Sequence, residues 1–299
     1  VNLNTIPIFF NHDWQNSLYK TDSILRLKYE YKGSTLESVF IIKKILGFKL
    51  LQIPNLMPFN FHFTHSEPEQ SDYNAYKKEA ILLSQMRKEL NNFSFAQWKN
   101  SSNNLTTVPI MGHGVNCFWR QTGIIKNNKN TNQIFESLFF KTRNSIQSEL
   151  NAFEIKSVSI NQISELFLKD KYYSKSNINK NNLVPFFTKY IHGEQLTPFG
   201  VFDENDVLHS FALLLKDNNI AYLWLNIIQH DLVSRNANKK LLWHCIVYAM
   251  DNGYDFNFDG SINPTLDKIF RAYNPEIKPY PMFSYTSNKL VKILYDLWK

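Results

Sequence analysis

The chain has 299 residues, 43% of them hydrophobic, with 33 Lys and Arg against 26 Asp and Glu, for a formal net charge of +7 and a pI near 9.1. That length and apolar content exclude a disordered chain and suit two ordinary cores, and no run approaches the roughly 18 consecutive apolar residues of a membrane helix. The basic balance favours anionic partners: phosphates, a nucleotide-bearing cofactor, nucleic acid or an acidic membrane surface.

Val1 to Phe10 lack the basic-then-apolar layout of a signal peptide, so a cytoplasmic site is expected. In the first half, Ile24 to Tyr31 ("ILRLKYEY") and Ser38 to Lys43 ("SVFIIK") alternate as strands. Joined by "KGST", they predict a hairpin. A loop with Pro54, Pro58 and Pro68 precedes a helix over Tyr73 to Leu90, and strands follow at "FSFAQW" (93 to 98) and "NCFWRQTGII" (116 to 125). Cys117 and Cys245 are the only cysteines, far apart and in apolar settings, which suggests two buried thiols and neither a disulfide framework nor a zinc site.

The lysine-asparagine stretches "KNNKNTN" (126 to 132) and "SKSNINKNN" (174 to 182) read as solvated surface, and the first of them breaks the chain near residue 130. Beyond it the pattern predicts a helix over Gln133 to Asn151, a strand over Phe153 to Ser157, and helices at 160 to 172 and 181 to 191. The strands "FGVFD", "VLHSFALLL" and "IAYLWLNII", separated by "ENDV" and "KDNN", make a β-meander. A helix over 237 to 251 stops at Gly253, and "DFNF" follows as a strand. An Asp-Gly-Ser turn, a helix over 264 to 273, a strand near "PYPMFSY" and a helix from 287 onward complete an α/β (α+β) chain.

In order, the second half is helix, strand, two helices, three-strand meander, helix, strand, helix, strand. That order resembles the GNAT acyltransferase core. "LLWHCIVYAMDNGYDFNFDGS" (241 to 261) followed by "IFRAYNPEIKPYPMF" (269 to 283) is similar to the C-terminal signature of the FemABX-like, double-GNAT branch, "FFKTRNSI" (139 to 146) is similar to the basic helix that opens its second domain, and "CFWRQTGII" (117 to 125) to the strand before that helix. The chain departs from peptidoglycan-bridge members in carrying Arg271 where they usually have lysine, and in having no heptad run for a coiled-coil arm.

The resemblance implies two tandem GNAT-like domains, each a mixed, mostly antiparallel twisted sheet flanked by helices. Residues 1 to 130 would form a reduced N-terminal domain on the acceptor side, and 131 to 299 a C-terminal domain on the donor side. It implies an N-acyltransferase that moves an acyl group from acyl-CoA or an acyl-carrier protein to a small-molecule amine acceptor by direct attack. No tightly bound cofactor is expected; the donor is a co-substrate. Two alternatives stay open: an aminoacyl-tRNA-dependent transferase of the peptidoglycan-bridge type, and a non-catalytic binding protein that keeps the fold.

In such a site the donor belongs where the strand 220 to 228 meets the following helix, because a helix start binds pyrophosphate well. The loop there, "QHDLVSRNANKK", has Ser234, Asn236, Ala237 and Asn238 in place of the glycines usual in GNAT loops, with Arg235, Lys239 and Lys240 beside them. These seven residues are the candidate donor site; a capped helix with a solvated basic first turn explains them equally well. Asp259 is a candidate general base, orienting group or turn former, and Ser261 or Asn263 would cap the helix that carries Arg271. Arg271 would pair with Asp259 or bind a substrate anion. His230 in the loop is the better acid-base candidate among the histidines; His65 and His113 would line an acceptor groove, and His244 reads as packed in its helix. Arg143, beside Lys141, together with Trp119, Gln121 and Tyr273, completes the candidate substrate contacts. No histidine has a metal-ligand partner at i+4, so no metal is expected.

Overall fold

A computed structural model describes residues 6–65, 72–101, 115–148, 152–229, 235–260, 264–288, 290, 291 and 293. The chain forms two compact units, one of residues 1–120 with 279–299 and the other of residues 121–278. This division differs from a cut near residue 130. The strand β6 (Val115–Ile125) runs unbroken past residue 120 and pairs its end with the second unit, and β12 (Glu276–Thr286) returns the chain to the first unit to pair there.

The first unit begins with a short 3-10 turn, Ile8–Phe10, and a helix, α1 (His12–Leu18), capped by the Asn11 side chain on the Asp13 N–H. Next come β1 (Ile24–Tyr31), β2 (Ser34–Ile45), β3 (Phe48–Gln52), β4 (Phe61–His65), the long helix α2 (Asp72–Leu90) and β5 (Phe95–Lys99). The β1–β2 hairpin turns on Lys32 and Gly33, both at positive φ, the two-residue turn whose twist matches that of the flanking strands. β2 also pairs antiparallel with β3 and, through its first residues, with β4. β3 pairs parallel with β5, and β5 antiparallel with Met282 to Thr286 of β12. α2 lays Leu82, Leu83, Met86 and Leu90 on Leu36, Phe40, Leu51, Phe61, Trp98 and Phe283, all buried. Each such side chain contributes about 1.5–3 kcal/mol by leaving water.

In the second unit the expected helix over Gln133 to Asn151 is two helices, α3 (Thr131–Ser137) and α4 (Phe140–Ser148). They are followed by β7 (Glu154–Lys156), α5 (Ile160–Lys169), α6 (Leu183–His192), β8 (Leu196–Phe202), β9 (Leu208–Asp217), β10 (Ile220–Ile228), α7 (Arg235–Asp251), β11 (Asp255–Asn257) and α8 (Pro264–Arg271). The strands lie in the order β6-β11-β10-β9-β8-β7, antiparallel except for β10 and β11. On one face α7 buries Ala237, Leu241, Leu242, Cys245, Ile246 and Ala249 with Ala212, Leu214, Ala221, Leu223 and Phe256. On the other, α6 sets Phe186 5.9 Å from Trp224. The strands of each unit are mostly antiparallel and covered by helices, as the resemblance implies. The helix expected from 287 onward falls largely outside the described residues, with 290, 291 and 293 helical.

Candidate active site

The parallel pairing of β10 with β11 covers three residues: Ile220 opposite Asp255, Ala221 opposite Phe256 and Tyr222 opposite Asn257. Immediately past Tyr222 the register of β10 on β9 shifts between Leu223 and Leu225. A bulge there bends the strand and re-aims the residues beyond it. β11 ends at Asn257 whereas β10 continues to Ile228, so β10 runs on past its pairing with β11, and the point where that pairing stops is the wedge.

Both lips of the wedge are pinned. On the β10 side, the Asn226 Nδ2 donates to the Phe211 carbonyl (3.2 Å) and to Asn238 Oδ1 (2.9 Å), and Asn238 Nδ2 donates back to Asn226 Oδ1 (3.2 Å). That amide pair seats the first turn of α7, the positive end of its dipole, on the half of β10 beyond its pairing with β11. On the β11 side, Asn257 is buried, and its Oδ1 accepts from the Thr122 hydroxyl (2.6 Å) and from the Asp259 N–H (2.9 Å). Asp259 is held at φ +55, a left-handed backbone that costs a non-glycine residue about 1 kcal/mol and persists where the surroundings fix it.

Two phenols share the field of the Asp259 carboxylate. Burial pushes the Tyr222 hydroxyl well above its ordinary pKa, and the Asp217 and Asp259 charges add to the rise. Tyr173, in a 3-10 turn between α5 and α6, is raised by burial first and then by Tyr172, Asp170 and Asp259. Its ring stacks on Phe167 at 5.3 Å and meets Tyr172 edge-on at 5.1 Å, while Tyr172 itself stands exposed. Asp259 therefore follows the end of β11, and its charge reaches two phenols that stay protonated at neutral pH. A carboxylate among aromatic rings can hold an ammonium group and take up its proton.

No protein-family model matches the chain, and no curated protein sequence matches it significantly. Solved structures do match. FemX superposes with a TM-score of 0.64 at 11% identity, over 96% of this chain and 94% of that one. The C-terminal domain of a putative lysylphosphatidylglycerol synthetase from Agrobacterium fabrum gives 0.53 at 9%, over 92% and 87%. A tandem GNAT protein from the clavulanic acid biosynthesis pathway gives 0.51 at 7%, over 90% and 85%. The fold is GNAT-like, of the FemABX kind. At these identities the likeness shows the fold alone.

In the second unit Asp259 follows β11 at the wedge, but Arg271 is not brought to it. The Phe270 ring stacks on Phe258 at 4.6 Å, and one residue further along a helix is a turn of about 100°, so Arg271 faces another way. Its Nε donates to Asp267 Oδ2 and its Nη2 to Gln121 Oε1, both at 2.7 Å. Arg271 and Gln121 are thus joined to each other at the surface. Trp119, a candidate substrate contact two residues before Gln121 on β6, is 54% exposed.

The candidate donor residues are divided. Ala237 and Asn238 are buried in the anchoring of α7. Lys239 Nζ donates to Ser145 Oγ (2.9 Å) and Asn236 Oδ1 (3.1 Å), tying α7 to α4, and Lys240 Nζ donates to the Phe153 carbonyl. Two of the three expected cations are therefore engaged with neutral acceptors of the fold. His230 and Ser234 lie outside the described residues, as do His113, Ser261, Asn263 and the side chain of Arg235. Tyr273 is fully buried, with its hydroxyl on the Lys239 carbonyl (3.0 Å). Arg143 clamps α3 to α4 through the Glu136 carbonyl (2.9 Å) and carboxylate (2.8 Å). Lys141 lies over the exposed Phe140 ring. His244 packs edge-on to Phe199, its pKa lowered by burial and then by Lys240. His65 accepts or donates a bond with Ser34 Oγ at 2.8 Å and lies 3.4 Å from Glu79.

Sequence reasoning missed Tyr173, Tyr222, Asn257 and Thr122. Tyr222 sits in a strand pattern like any other, and nothing in "KDKYYSKS" links Tyr173 to a turn far along the chain. Asn257 alternates onto the same face as Asp255 in "DFNF", a polar face that sequence alone reads as solvated. Among the described residues no group of three His, Cys, Asp or Glu is placed to hold a metal ion, and no helix is long and apolar enough to cross a membrane.

Proposed function

We propose that this protein transfers an acyl group from an activated carrier to an amine, with the chemistry at the β10–β11 wedge. Asp259, two residues past the end of β11 and close enough for its charge to act on Tyr222 and Tyr173, is the observation that carries the reading. The carrier lies along the half of β10 beyond its pairing with β11, with its anionic portion toward the start of α7, where Ser234, Arg235 and Asn236 are the remaining donor candidates. The acceptor enters as an ammonium ion against the tyrosine rings and gives its proton to the Asp259 carboxylate. The free amine then attacks the carbonyl carbon, the new C–N bond forms, and the carbon–sulfur or carbon–oxygen bond of the carrier breaks. The nitrogen loses its second proton as the amide forms, the leaving thiolate or alkoxide takes that proton up, and no covalent enzyme intermediate is needed.

The carrier is an acyl thioester in the first reading, which the tandem GNAT likeness supports. The second reading, an aminoacyl-tRNA carrier, draws on the higher TM-score to FemX, 0.64 against 0.51, together with the net charge of +7. Thermal unfolding with acetyl-CoA, longer acyl-CoAs, acyl-carrier protein and aminoacyl-tRNA separates them. A thioester carrier raises Tm nearly independently of salt, whereas tRNA binding weakens steeply as salt rises. If no member of the panel shifts Tm or is turned over, the enzyme reading falls and a binding protein that keeps the GNAT-like fold takes its place.

A further inference from the structure

The first unit holds a cavity of about 350 Å³ between the segment Ile6 to Gln15 and the outer face of the β1–β2 hairpin. That volume is in the about 300–1,000 Å³ range of small-molecule sites. Phe10, Asn11 and His12 form one wall; Arg26, Lys28, Glu37 and Val39 stand on the sheet side.

Arg26 is built into this wall in an unusual way. Gln15 is fully buried, and its Nε2 donates to the Phe9 carbonyl (3.1 Å), which fixes its Oε1 toward the sheet. That oxygen accepts from Arg26 Nε at 2.5 Å, and Asn16 Oδ1 accepts from Nη2 at 2.5 Å. Two neutral amides therefore aim the guanidinium, and of its five N–H donors three are left for other use. Among the described residues no carboxylate pairs with it; burial is what lowers its pKa, with no opposing charge to restore it. The neighbouring cation is different: Lys28 lies 2.9 Å from Glu30 and 3.9 Å from Glu37, its cross-strand partner, so its charge is already matched. The cavity wall thus carries one oriented, partly desolvated and unmatched positive charge.

We propose that this cavity binds a small organic anion, its carboxylate or phosphate gripped by the Arg26 guanidinium and its apolar body against Ile8, Phe10 and Val39. A guanidinium fork matches either group through paired hydrogen bonds, and the apolar floor supplies the area that a bare ion does not use. The inference needs no acyl transfer and stands or falls separately from the wedge in the second unit.

The test is a titration of the deuterated, nitrogen-15-labelled full chain with phenyl phosphate, benzoate and, as the neutral control, benzyl alcohol. Phenyl phosphate or benzoate is expected to shift the amide signals of Phe10, His12, Leu27 and Val39 saturably, and the stronger of the two shows which anion the site prefers. Benzyl alcohol leaves them in place. In Arg26→Gln the affinity falls by about tenfold or more, and in Arg26→Lys, which keeps the charge without the fork, it falls by about threefold or more, whereas Lys28→Gln binds as the wild type does. The same spectra report folding of each variant; should Arg26→Gln fail to fold, Arg26→Lys decides. Shifts that grow linearly with either anion, or that saturate equally in the Arg26 and Lys28 variants, overturn the proposal.

Discussion

Acidification should destabilise the first unit through a single imidazole. His62 lies on β4 against Phe10 and Phe59, with ring centroids 5.7 and 5.9 Å away, and its buried Nε2 has no hydrogen-bond partner among the described residues. Burial lowers its pKa from the ordinary 6.5 to about 4. Because the folded value lies below the unfolded one, the unfolded chain binds the proton first. The stabilising contribution is complete above the unfolded pKa and is lost as pH falls toward the folded one. A tenfold change in proton affinity is worth about 1.4 kcal/mol, so the loss reaches about 3 kcal/mol by about pH 4, and about 2 kcal/mol of it has appeared by about pH 5. Urea unfolding followed by tryptophan fluorescence, in steps from about pH 7.5 to about pH 5, measures it. His62→Phe is the reference, since it keeps an aromatic ring beside Phe10 and Phe59 and removes the titrating group. The wild-type stability should drop by about 2 kcal/mol relative to the variant across that window. Parallel curves, within about 0.5 kcal/mol, would refute the reasoning, because every other titrating group is common to both proteins.

At the wedge, Asp259→Asn should lower kcat by about 10²–10⁴-fold once a substrate pair is in hand, with the fold intact by circular dichroism; unchanged turnover would remove Asp259 from the chemistry. Asn257→Ala deprives the buried Thr122 hydroxyl and the Asp259 N–H of their acceptor, and should cost about 1–3 kcal/mol in chemical unfolding and lower turnover as well, while Asn257→Asp, which keeps the acceptor, retains most of both. Gly123→Ala would place a methyl group 2.8 Å from Pro275 Cγ and 3.2 Å from Phe258 Cδ2 on a buried strand, an overpacking expected to cost about 1–3 kcal/mol and to lower Tm by a few degrees. Arg271→Ala should change stability by no more than about 1 kcal/mol, since its Asp267 pair is half-exposed, and should raise KM at constant kcat if the guanidinium meets a substrate anion; an unchanged KM leaves it a surface clamp.

What the sequence determined by itself is what short-range physics writes into it. Alternation fixed the β1–β2 hairpin and the β8–β9–β10 meander, an apolar stripe fixed α2, and α7 stops at Gly253 where the pattern said it would. β3 and β4 were illegible because Pro54 and Pro58 dominate the stretch around them, although both strands fit on either side of the prolines. The break between α3 and α4 has no proline or glycine to announce it; the Phe139 N–H turns from its own helix to the Ala272 carbonyl, a partner supplied by distant chain. The same holds for the site. Asp259 was visible because an Asp-Gly turn is local, but whether Arg271 answers it depended on which face of α8 stacks on Phe258. That Tyr173 and Tyr222 share the field of Asp259 depended on a loop between two helices folding against the end of a strand. Tertiary structure alone decided these pairings, because a charged or polar side chain is satisfied by whichever partner packing brings within about 3 Å, and sequence spacing does not encode that distance.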